Sequence, residues 1–185
     1  MVIEKGELLS YLGYRGQAIS QEMDIKIAYA IDLCQSLVRP MSVVKRFKVN
    51  KETKIVEGTT LILDGEDIWK HIEGCSEIYL ICATVGFLPE KEITRQMIKD
   101  KTLAIILDSA AICAIESYLD DIEKALDGTL TTRYSCGYGD FPIEAQKDIC
   151  AVLDTQRKIG VSVNSSYMLS PQKSVTCVIG IKDEL

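Results

Sequence analysis

The chain has 185 residues, 47% hydrophobic and 26% charged, with a formal net charge of −6. That length fits one domain with its own core, or one domain with a small appendage. The charge balance leaves no basic footprint for sequence-independent nucleic-acid binding, and no polybasic segment for an anionic membrane.

Residues 7–12 read as a short helix that ends at Gly13. Ser20 is expected to cap a longer helix reaching about Val38, apolar at Met23, Ile27, Ile31, Cys34 and Leu37. Pro40 stops it. Residues 42–49 alternate as a half-exposed strand does. Lys45, Arg46 and Lys48 form a local basic cluster there, either a solvated face or a docking patch for an acidic partner. A turn around residues 50–53 leads to Ile55-Val56 and then to a strand over 59–63, and a short helix from Asp64-Gly65 carries Trp69 and His71. The run 77–84 is the most apolar strand and is expected to be central.

Helices are expected over 89–99 and 102–126. Asp108 and Glu116 project from about the same side of the second. Residues 129–134 read as a strand, 143–159 as a helix, and 161–163 and 174–181 as strands. Helices and strands joined by short turns indicate an α+β fold with a largely antiparallel sheet. No stretch of about 20 uninterrupted apolar residues suggests a membrane span. Charge interrupts the N-terminus too early for a signal peptide. The terminal Lys-Asp-Glu-Leu is therefore read as coincidence rather than as a retention address.

The densest turn chemistry is Thr132-Arg133-Tyr134-Ser135-Cys136-Gly137-Tyr138-Gly139-Asp140-Phe141-Pro142. Gly137 and Gly139 flank Tyr138 and open backbone conformations closed to other residues. Pro142 is expected to begin the helix from Ile143. Arg133, Tyr138 and Asp140 offer a guanidinium, a phenol and a carboxylate to a small ligand. A strand-to-helix turn with a solvated arginine explains the same residues.

Cys34, Cys75, Cys82, Cys113, Cys136, Cys150 and Cys177 are scattered, without a C-x-x-C pair. They fit reduced thiols packed as small hydrophobes. Cys136 stands apart because Arg133 beside it could acidify its thiol. His71 is the only histidine, which excludes a histidine-based metal cluster and leaves no Ser–His–Asp pattern. Neither G-x-x-x-x-G-K-[ST] nor G-x-G-x-x-G occurs. No catalytic residue and no metal site is assigned. Binding is expected rather than self-contained catalysis.

Arg133-x-x-x-Gly137-Tyr138-x-x-x-Pro142 resembles the signature of the activation (reactivation) domain of cobalamin-dependent methionine synthase. Tyr11-Leu12-Gly13-Tyr14-Arg15-Gly16 looks like the opening of its stand-alone members. Ala83-Thr84-Val85-Gly86, Asp108 with Glu116, Gln146, Ile159-Gly160-Val161 and Ser166-Tyr167-Met168-x-x-Pro171-x-Lys173-Ser174-Val175 follow in the family's order. The resemblance implies one C-shaped α+β domain over residues 1–185. A twisted antiparallel sheet would be flanked by helices, with the helical segment 1–40 packed on it.

It also implies binding of S-adenosylmethionine and reductive remethylation of a Co(II) corrinoid. The cobalamin would be carried by a cytoplasmic methionine synthase core, with a flavodoxin-like protein as electron donor. By position, Arg133 would meet the ligand's carboxylate. Gly137, Ser135 and Cys136 would line the loop, Tyr138 would lie beside the sulfonium, and Glu116 would bind a polar or cationic part. Tyr134, Ser135 and Cys136 replace a proline-containing run. Ile179 stands where the long enzyme has an aromatic residue. A capping module without methyl transfer, or an activator of another corrinoid protein, are the alternatives.

Overall fold

A computed structural model describes residues 1–183, so Glu184 and Leu185 of the terminal Lys-Asp-Glu-Leu lie outside the described residues. The elements in chain order are α1 (Lys5–Tyr11), α2 (Gln21–Leu37), β1 (Met41–Asn50), β2 (Ile55–Val56), α3 (Glu66–His71), β3 (Cys75–Thr84), α4 (Leu88–Lys99) and α5 (Lys101–Lys124). There follow β4 (Tyr134–Ser135), α6 (Ala145–Leu153), α7 (Thr155–Ile159), β5 (Ser162–Val163), β6 (Leu169–Ser170) and β7 (Ser174–Lys182). They pack as two compact units, one of residues 1–41, 84–125 and 171–173, the other of 42–83, 126–170 and the chain from 174 on.

The first unit is helical. Ser20 Oγ accepts from the Met23 N–H at 3.2 Å, so the expected cap of α2 is in place. Asp100 does the same for α5, accepting from the Leu103 N–H at 3.0 Å. Its second oxygen takes Lys26 of α2 at 2.9 Å. Both acceptances favour the ionised carboxylate, so its pKa is lowered, chiefly by the Leu103 N–H and then by Lys26. Helices α1, α2 and α4 all pack on α5. By length and composition α5 is apolar enough to cross a membrane, although most of its apolar window is buried in protein. Counting uninterrupted apolar residues misses it because Asp108 and Glu116 divide the run.

The second unit is built on a curled antiparallel sheet ordered β2-β1-β3-β7-β4. The fold is thus α+β, as the sequence indicated. The apolar run expected to be central is β3, third of five and buried almost throughout its length. The two edge strands have two residues each, which leaves little ladder exposed for a stray partner. Ile68 of α3, Ile149 and Leu153 of α6 and Ile159 of α7 join Ile78, Leu80, Cys82 and Val178 of the sheet in one core.

Three expected elements come out differently. Residues 59–63 are not a strand, because Thr59 Oγ1 accepts from the Leu61 N–H and donates to the Val56 carbonyl, folding the segment into a turn. Residues 129–134 follow β7 only in part. There Thr131 Oγ1 takes the Gly180 N–H at 2.9 Å in place of a backbone carbonyl, and only Tyr134–Ser135 is a strand. The helix expected over 143–159 begins at Ala145, and at Asp154 it divides into α6 and α7, where φ is +57°. Aspartate tolerates that left-handed step better than most residues.

Gln146 holds three pieces of this unit together. Its Nε2 donates to the Tyr167 carbonyl at 2.6 Å, and its Oε1 accepts from Thr176 Oγ1 at 2.9 Å. Gln146 and Thr176 are both buried. Truncation strands the buried Thr176 hydroxyl and leaves the partly buried Tyr167 carbonyl without this donor. Gln146→Ala is expected to lower the unfolding free energy by about 2–3 kcal/mol in urea denaturation, while Gln146→Glu retains only the acceptor half.

Candidate functional site

The glycine loop 132–142 leaves β4 and closes on itself. The Gly137 N–H donates to the Phe141 carbonyl at 2.8 Å, and the Phe141 N–H donates to the Tyr138 carbonyl at 3.0 Å. Tyr134 Oη adds a third bond, to the Tyr138 carbonyl at 3.3 Å. Gly137 and Gly139 sit at φ +88° and +54°, so both glycines are required by the turn. A Cβ on Gly139 would lie 2.5 Å from Asp67 Oδ2 and 2.7 Å from Tyr134 Oη.

One end of the loop is anchored to α3. Asp140 accepts from the Glu66 N–H at 2.6 Å and the Asp67 N–H at 3.0 Å, capping a helix that its own Gly65 cannot cap. Gly65 has φ +117°, and a Cβ there would meet Asp140 Oδ1 at 2.7 Å. The two backbone bonds hold the Asp140 carboxyl below its ordinary pKa. Phe141 fills the core beneath, 6.3 Å from the ring of Tyr134. His71 stacks on Tyr134 at 4.9 Å, and its Nε2–H donates to the Thr132 carbonyl at 2.7 Å. The single histidine is therefore a brace for this loop, and that role is legible only in three dimensions.

Arg133 and Ser135 are half-buried, Gly137 and Tyr138 are exposed, and Cys136 is buried. Tyr134 pairs with Val178 and packs on the core; Ser135 pairs with Cys177. Strand alternation puts Ser135 on the side opposite Tyr134, which packs on the core as Cys136 does. Tyr138 is 68% exposed, an aromatic ring set on a braced turn. Burial pushes the Cys136 thiol up to about 12, so Arg133 does not acidify it. All seven cysteines are buried free thiols. Glu116 lies half-buried on α5, in the helical unit. Asp108 of α5 pairs with Lys173 at 2.8 Å, a partnership that sequence spacing alone did not reveal.

Two cations of the basic cluster of β1 have partners within the fold. Lys45 Nζ donates to the Val152 carbonyl at 3.1 Å, and Arg46 pairs with Glu77. Adjacent strand residues point to opposite faces, so Lys45 lies opposite Arg46 and Lys48, which are both exposed on one face.

Asp140→Ala frees two helix N–H groups and is expected to lower the melting temperature by a few degrees. Folding lowers this carboxyl's pKa, so its contribution is complete above the unfolded value of about 4 and is lost as pH falls through the folded value. The melting difference between wild type and Asp140→Ala should therefore shrink on acidification, as thermal scans between neutral pH and about pH 3 would register.

No family model and no curated protein matches the sequence. Among solved structures, the chain is similar to the MetH reactivation domain in its crystal structure bound to AdoHcy. The TM-score is 0.65 at 14% identity, over 96% of this chain and 73% of that one. The chain has the fold of the MetH reactivation domain.

Proposed function

We propose that this chain binds S-adenosylmethionine at the loop from Arg133 to Tyr138. On this reading it serves, in trans and in the cytoplasm, as the activation module of a cobalamin-dependent methionine synthase core. The observation that carries the reading is the fold match over 96% of the chain to a reactivation domain solved with AdoHcy. AdoHcy is the demethylated form of the proposed ligand. The residues of the loop fit such a ligand. Arg133 is a planar fork suited to a carboxylate, and Tyr138 is an exposed ring beside which a sulfonium can rest.

Bound S-adenosylmethionine would supply the methyl group, and the partner would carry the cobalamin. The chain's own work is positioning. Arg133 holds the carboxylate, and Ser135 and Gly137 offer polar contact close to the main chain. Cys136 acts by packing beneath the turn. A flavodoxin-like protein is the proposed electron donor. The capping reading, without methyl transfer, is favoured by one feature: the loop is already braced by its own hydrogen bonds, as a preformed docking surface would be.

Calorimetric titration of S-adenosylmethionine tests the binding proposal. Arg133→Ala is expected to weaken binding by about tenfold or more, with Arg133→Lys intermediate. No heat from wild type, alone or with a cobalamin-loaded core, would overturn it. Tyr138→Ala separates the two roles. An exposed side chain changes stability by no more than about 0.5 kcal/mol. Under the activation reading this variant keeps its melting temperature but loses most remethylation of the corrinoid under reducing conditions. Under the capping reading, wild type itself docks without transferring a methyl group.

A further inference from the structure

The helical unit carries an apolar groove that the proposed function does not use. Helices α2 and α4 pack side by side. They run antiparallel, because Lys26 near the start of α2 bonds Asp100 past the end of α4, while Leu37 at the end of α2 lines the groove with Leu88 at the start of α4. The groove is about 620 Å³, and Lys91, Arg95 and Ile98 complete its α4 side. Ile98 is 87% exposed, Leu88 at the other end of the groove is exposed too, and so are Ile25 and Tyr29 on α2. Four large apolar side chains exposed on two neighbouring helices exceed the scattered exposure of an ordinary surface.

The charges on the two rims are opposite. The exposed residues of α2 include the acids Glu22 and Asp32. The exposed residues of α4 include Lys91, Arg95 and Lys99, with Lys101 just beyond. Glu92 is taken up by Arg95 through two bonds, at 2.8 and 2.6 Å. Glu90 accepts from the Gln172 N–H at 2.9 Å. Lys91 makes no ion pair among the described residues, and neither does Asp32.

We propose that this groove is a two-fold interface with a second copy of the chain, α2 of each copy packing on α4 of the other. A two-fold axis along the groove exchanges the rims and keeps each residue at its own level. The Lys26–Asp100 and Leu37–Leu88 levels then fix the rest at 1.5 Å per helical residue. Asp32 of one copy falls level with Lys91 and Arg95 of the other. Ile25 falls near Ile98, and Glu22 near Lys101. An interface of this kind is self-complementary, as isologous contact requires, and its apolar centre is ringed by charge.

Sedimentation velocity on the full chain tests this. Wild type is expected to show a monomer–dimer equilibrium at concentrations up to about 100 µM, weakened by added salt. Ile98→Glu should weaken association at least tenfold without loss of helicity or melting temperature, since the side chain is in solvent. Lys91→Glu and Asp32→Lys should each weaken it, and the double variant Lys91→Glu/Asp32→Lys should recover it. A strictly monomeric wild type overturns the proposal, as does a dimer indifferent to Ile98→Glu. Capture of an acidic amphipathic peptide by a monomeric wild type would also overturn it, reassigning the groove to another protein. Binding of S-adenosylmethionine by Ile98→Glu is expected to match wild type, so failure here is distinguishable from failure of the proposed function.

Discussion

The bond between the Asp140 carboxylate and the first N–H groups of α3 is the constraint on which the candidate site depends. It joins residues more than 70 positions apart, and it is short, double and charge-assisted. It fixes the far end of the glycine loop, where Phe141 also anchors it from below, while Cys136 is buried under its middle and His71 with Tyr134 fixes its entry. Gly65 and Gly139 are glycines because this approach leaves no room for a Cβ at either position. The loop's flexibility in sequence has become rigidity in structure. Conformational freedom at two glycines permits a turn, and the bonds around them select one.

That rigidity bears on function. On the proposed reading, a loop that presents a guanidinium and an aromatic ring to a small charged ligand gains affinity when ordering costs are met before binding. Here the loop's backbone bonds and its aromatic underside meet them within the protein unit itself. The buried cysteines serve the same end. Cys136 anchors the underside of the turn as a neutral small hydrophobe rather than as a reactive thiol.

The interplay of local and distant chemistry also explains which elements were legible. Ser20, Pro89 and the long alternation of apolar and polar residues in α2 and α4 are local signals, and those helices lie where the residues indicated. The strand β3 was legible as central because only a strand buried on both faces is so uniformly apolar. The segment 59–63 failed because a threonine hydroxyl competed with the ladder for the backbone. The helix after Pro142 divided at Asp154 because a left-handed residue there carries almost no sequence mark.

By itself, then, the sequence determined the fold class, the central strand, the capped helices and the composition of the glycine loop, since each follows from propensity, periodicity or turn chemistry within a few residues. Tertiary structure alone decided that Asp140 caps α3, that His71 braces rather than reacts, that Asp108 meets Lys173, and that Lys45 and Arg46 are taken up within the fold. Those choices join residues distant in the chain. A hydrogen bond or ion pair between such residues exists only once packing has brought them within about 3 Å, and no local preference encodes that meeting.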